Sequence, residues 1–267
     1  MLEKLGVVGA ITINTYRELV RDRLLYAFII FAVLTTVLGI LLGSLSAGEN
    51  TRTLSDIGLF ATAMIGGIIA IFSGANLVYK EFERKTISII FVKPVTGWQF
   101  VLGKYLGSSL CLFLIVAAMA VFLVFLLFTF GGNVLFDFAK EFSTVGRCML
   151  LIFLELAFVC SLAVFFSTFA TPTMSVIFTA SLWLIGHFGE SLKDLGELSK
   201  SHAVSQFFNL LYWLLPDLGS LSRVRSELLH GFEPSLELIA YLVAYVLAYI
   251  VLLLTVAALI IEKREFA

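Results

Sequence analysis

Glu155 is the residue in this chain most able to do chemistry, because it is ionisable and sits in the middle of an apolar run, LIFLELAFVC. An acid at mid-membrane costs ~2.5–3.5 kcal/mol on insertion scales, so it must face protein or a cavity rather than lipid. Two readings follow. Glu155 is either a protonated or hydrogen-bonded packing residue, or a proton or cation relay that touches cargo. Other chemistries find less support. His187, His202 and His230 are scattered without metal-ligand spacing. Cys111, Cys148 and Cys160 lie in or beside apolar runs with no CxxC or CxxH pattern, and read as small core residues. The nearest approach to a phosphate loop is Gly97-x5-Gly103-Lys104-Tyr105. It is one residue too long, with Tyr105 where Ser or Thr would hold magnesium. No catalytic constellation, cofactor site or metal site is expected on this chain.

The elements around Glu155 are hydrophobic on a scale that defines the protein. Of the 267 residues 60% are apolar and 14% charged, more apolar surface than a water-soluble fold can hide. Six spans are expected, at 24–45, 57–78, 105–130, 148–169, 173–188 and 238–261. Most exceed the ~20 helical residues that cross a ~30 Å hydrocarbon core. Helices are the default, since a helix satisfies its own backbone in lipid and barrel-type alternation is missing. The fifth span is the weakest, being short and carrying Gly186 and His187 near its end. One membrane domain, 1–267, accounts for the whole chain.

A charged cassette, YKEFERKTISIIFVKPVTGWQFVLGK at 79–104, separates two charge-free runs of 22 and 26 residues. At 100° per residue Lys80, Glu81, Glu83, Arg84 and Lys85 share one wide arc, with Phe82, Thr86 and Ile89 opposite, until Pro94 stops the helix. Ahead of the first span, Asn14, Arg17, Glu18 and Arg21 form a polar stripe opposite Leu5, Val8, Thr12, Tyr16 and Leu19. Residues 3–23 are thus an amphipathic helix expected in the membrane interface. A second interfacial or re-entrant helix is expected at 204–215, ended by Pro216.

Charge distribution orients the chain. Counting the N-terminus, the cassette and the C-terminus together gives 11 Lys/Arg against 7 Asp/Glu, and the opposite loops hold 7 against 11. The basic side is the cytoplasm, and six spans put both termini there. Gly39-x3-Gly43 in the first span and Gly66, Ala70 and Gly74 in the second allow close helix approach. Packing within one subunit and a subunit interface are both open for them. Asn76 reads as a residue that bonds backbone rather than cargo.

Four stretches carry a resemblance: NTYRELVRDRLLYAF, LVYKEFERKTISIIFVKPVTGWQFVLGKYLG, FFSTFATPT and YWLLPDLGSLSRVRSELLHG. Together they resemble the membrane subunits of type-2 ABC exporters, and more narrowly the six-span bacterial permeases grouped with sodium-efflux, copper-maturation and gliding-associated transporters. The likeness runs over essentially the whole chain, and its most specific part is the order of charges and Lys-Pro-Val in the cassette. It implies that 80–93 is a coupling helix docking on a separately encoded ABC ATPase dimer, with Glu81, Glu83, Arg84, Lys85 and Thr86 as contacts. It implies further that the N-terminal helix is an elbow helix and that ATP and magnesium bind the partner. A second permease copy or a paralogue would complete the pathway, in a bacterial inner membrane and with no nucleic acid involved. The competing classes are an ion-coupled secondary transporter, for which Glu155 is the main support, and a membrane scaffold or assembly factor.

Overall fold

A computed structural model describes residues 2–21, 30–31, 33–38, 40–41, 50–77, 96–130, 135–188 and 217–265. Among these residues there is no strand. Seven helices are α1 (Leu2–Arg21), α2 (Asn50–Leu77), α3 (Gly97–Phe130), α4 (Leu135–Ser167), α5 (Pro172–His187), α6 (Leu218–Leu229) and α7 (Leu236–Glu265). The described residues between 30 and 41 are helical too. Stretches of α2, α3, α4 and α7 are long and apolar enough to cross a membrane. The 16-residue α5 rises only ~24 Å at 1.5 Å per residue. The expected coupling helix at 80–93 and the interfacial helix at 204–215 lie outside the described residues.

Helices outrun the apolar runs that mark them. The second, third and fourth expected spans begin at 57, 105 and 148, whereas α2, α3 and α4 begin at Asn50, Gly97 and Leu135. Hydropathy marks the part that meets lipid, but the backbone ladder continues through polar turns. Between the expected spans 105–130 and 148–169, the chain is helical from Leu135 onward for that reason.

α4 is the hub. It lies against α2, α3, α5, α6 and α7, and 72% of its apolar window is buried, against 33% for α7. Its partners come close because their facing residues are small. A Cβ at Gly74 of α2 would stand 2.5 Å from the Ala163 Cβ and 3.1 Å from the Cys160 carbonyl oxygen, and one at Gly66 would stand 2.5 Å from Leu156. The glycine ladder of α2 is therefore an intramolecular contact. Beside it, Cys160 Sγ donates to Ser108 Oγ at 3.2 Å, and Ser108 meets Ser73 at 3.4 Å. These contacts link α4, α3 and α2 through polar atoms in the apolar interior. Asn76 bonds the Phe72 carbonyl, a backbone contact as expected.

α1 does more than lie on a surface. Val8 and Thr15 are buried, and Tyr16 and Leu19 pack on the core. Thr12 Oγ1 donates to the Val8 carbonyl at 2.9 Å and stands 3.3 Å from the Gly103 carbonyl oxygen of α3. Gly103 and Gly107 admit the helix, since a Cβ at Gly107 would lie 2.7 Å from the Thr12 carbonyl oxygen. Glu18 reaches the buried Lys104 at 3.8 Å. Phe31 is buried among Ala61, Cys111, Ile115 and Met119, between α2 and α3.

The bundle has two distinct ends. One gathers α1, the starts of α3 and α5 and the ends of α2, α4 and α7, where Gly97 meets Ala258 and Glu262. The other gathers α6, the start of α7 and the end of α5. Tyr241, Leu247, Val251, Leu252, Val256 and Leu259 remain exposed along α7. Helices that satisfy their own backbone and present such a face outward suit a lipid surround.

Candidate functional site: a buried carboxyl at the junction of three helices

Glu155 is held by side chains from two other helices at the α6 end of the bundle. On α5, Trp183 and His187 are four residues apart and share one face. Trp183 Nε1 donates to Glu155 Oε1 at 3.0 Å, and His187 Nε2 stands 3.1 Å from the same oxygen. On α6, Leu218, Leu221, Val224 and Leu228 are buried, and Arg225 falls one turn beyond Leu221. Its Nη1 lies 3.6 Å from Glu155 Oε2, and its Nη2 stands 3.5 Å from Ser222 Oγ. Arg225 is also fixed through its backbone, whose carbonyl accepts from Cys148 Sγ of α4 at 3.7 Å.

The side chain of Glu155 is 1% exposed, so the carboxyl depends on these partners. Among the described residues Oε2 accepts no hydrogen bond and has only the Arg225 guanidinium beside it. Such a group is costly to bury and is held only because opposite charge and donors converge on it. Arg225 borders a cavity of about 260 Å³ that Asp56 of α2, Ser222 and Ser226 also line. The carboxyl thus lies one side chain away from a polar recess.

α6 was not anticipated from the sequence, which placed the short helix of this region at 204–215. The signals were present: Asp217 follows Pro216 and caps the helix by accepting from Ser220 N at 3.1 Å, and the buried residues recur at helical spacing. His187 and Arg225 were likewise not singled out as partners of Glu155, since nothing in the sequence pairs residues so far apart. The predicted contact residues Glu81, Glu83, Arg84, Lys85 and Thr86 lie outside the described residues, as do Gly39 and Gly43. Among the described residues no group of three His, Cys, Asp or Glu could hold a metal ion.

The family model for ABC-2 family transporter proteins matches residues 9–266. The chain belongs to that family. No match was found among curated proteins. This ABC-2 permease is therefore a multi-pass membrane protein and a membrane subunit of a transporter, and its family implies an ABC ATPase as partner. Glu155, Trp183, His187 and Arg225 all fall within the matched region, so the cluster belongs to the permease domain itself.

Proposed function

We propose that this chain is the transmembrane permease of a bacterial ABC exporter, working as one of two permease subunits on a separate ATPase dimer. The observation that carries the reading is the family match over 9–266. It combines with the charged cassette that ends at Lys104, inside the helix beginning at Gly97. Six spans with both termini and the cassette in the cytoplasm of the inner membrane fit the basic excess of that side. Residues 80–93 dock on the ATPase through Glu81, Glu83, Arg84, Lys85 and Thr86. ATP and magnesium are bound by the partner.

Motion at the cassette has a direct path inward. α3 carries Gly103 and Gly107, on which α1 rests as an elbow helix, and Lys104, which meets Glu18. A push on the start of α3 moves α1 with it, because the close backbone approach leaves no slack. Away from Glu155 the spans are nearly free of charge, which favours an amphiphilic or apolar cargo over a bare ion. The test is purification of the chain from its native host in mild detergent. An ATPase should travel with it, and nucleotide hydrolysis should rise when the two are reconstituted together. Flux driven by an ion gradient without any ATPase would refute the reading.

A further inference from the structure

His187 and Glu155 meet in a way that requires a proton between them. His187 Nδ1 stands 2.9 Å from the Trp183 carbonyl oxygen, which can only accept, so Nδ1 carries a hydrogen. Nε2 then faces Glu155 Oε1 at 3.1 Å. A carboxylate oxygen and a bare ring nitrogen would point lone pairs at each other across that gap. The contact is attractive only if one proton sits on the ring or on the carboxyl. The end of a helix favours a cationic ring, and His187 is the last residue of α5.

The same carboxyl also holds α6. While the proton is present, Oε1 is occupied by His187 and Trp183, and Oε2 is left to Arg225. A proton on His187 and the guanidinium of Arg225 are two positive charges answered by one carboxylate. Loss of the proton turns the Oε1 contact repulsive and leaves the carboxylate charge to Arg225, which tightens that ion pair. We propose that Glu155 and His187 form a one-proton binding site set against the hold of Arg225, so that binding the proton loosens α6 from α4 and α5 and releasing it clasps α6 in place.

The surroundings suit exchange. The His187 side chain is 27% exposed whereas Glu155 is 1% exposed, so the ring is the entry point for the proton. Among the described residues the other charges nearby are Arg225 of α6, Asp217 at its N-terminal cap and, beyond the recess, Asp56 of α2. α5 carries no other ionisable side chain. Both arginine and proton are thus answered by one acid, which couples them. The site is separate from the cassette and does not depend on how the ATPase docks.

Trp183 reports the proton directly, since its ring lies edge-on to His187 with centroids 5.5 Å apart. Trp98 and Trp213, the other two tryptophans, are replaced by Phe, and fluorescence of the full chain in detergent is followed from about pH 5 to 9, spanning the imidazole range. Hydrogen exchange of the α6 amides, corrected for its intrinsic pH dependence, is measured over the same range. One sigmoidal fluorescence change is expected. Alongside it, α6 protection should rise as pH rises, by up to about tenfold per pH unit, the limit for one linked proton. Both changes should vanish in His187→Gln. In Glu155→Gln, which keeps the size of the side chain but removes its charge, the imidazole still titrates beside Trp183 but the α6 change should vanish, because Arg225 no longer has the carboxylate to answer. A flat fluorescence profile in the parent would overturn the site. A titration that survives His187→Gln would do the same, and α6 protection indifferent to pH in the parent, or still pH-dependent in Glu155→Gln, would overturn the clasp. If His187→Gln does not fold, loss of the α6 change in the near-isosteric Glu155→Gln carries the test.

Discussion

Trp183 is fixed from both sides: its Nε1 donates to Glu155 Oε1 at 3.0 Å, and its six-membered ring lies where a Cβ on Gly67 would come within 2.6 Å. One indole therefore ties α5 to α4 by a hydrogen bond and to α2 by contact. The absence of a side chain at Gly67 is what lets the indole reach the acid.

This pairing predicts coupling between two substitutions. Trp183→Phe leaves Glu155 short of a buried donor and should destabilise the permease by about 1–3 kcal/mol. Gly67→Ala should also destabilise, because the methyl meets the indole. In the Trp183→Phe background the smaller ring should relieve that clash, giving a coupling of about 0.5–3 kcal/mol in a double-mutant cycle. Thermal unfolding in detergent measures it. Strict additivity would mean that the indole is not the atom group in the way.

Glycine positions divide by what they face. Gly74→Leu should cost about 1–3 kcal/mol or prevent folding, since α4 backbone and Ala163 occupy the space. Gly146→Leu on α4 has nothing within 4 Å of its Cβ. That change should be neutral or stabilising by up to about 1 kcal/mol through helix propensity. Folded yield and thermal midpoint of the two variants, compared side by side, check the contrast.

At the cassette the expected effect is on coupling rather than folding. Glu83→Arg or Arg84→Glu should leave insertion intact, since the sequence sets both charges on the polar arc of the cassette, where substitutions cost little stability. Association with the ATPase and transport should both fall. Parental levels of both in either variant would remove the docking role.

Orientation is checked by accessibility. Cysteines at Ser46 and Ser199 should react with an impermeant reagent in intact cells, and one at Ser88 only after permeabilisation. Labelling of Ser88 from outside would reverse the topology drawn from the charge distribution.

Subunit pairing has its own test. Gly39→Leu with Gly43→Leu should weaken association of two permease copies while preserving insertion, because small residues let backbones approach where lipid supplies no hydrophobic drive. Native mass spectrometry in mild detergent reads the stoichiometry. One permease bound to a working ATPase would refute the pair.

The apolar runs determined by themselves that this is a helical membrane protein. Stretches such as Tyr105–Phe130, without a charge, admit almost no other solution, since lipid offers the backbone no partner. The acid at Glu155 could likewise be marked as needing protein around it, because its cost in lipid is a property of the residue alone. Helix ends were less legible, as at Leu135, because hydropathy reports the surrounding solvent and not the hydrogen-bond ladder.

What surrounds Glu155 was decided only by the tertiary structure. His187 and Arg225 lie far along the chain on α5 and α6, and no periodicity links them to α4. They meet the acid because small residues such as Gly66, Gly67 and Gly74 let α2, α4 and α5 close up, and because Asp217 starts a helix that turns Arg225 inward. A sequence specifies each face separately. Which faces meet depends on how side chains fill the space between helices, and that packing is a property of all of them at once.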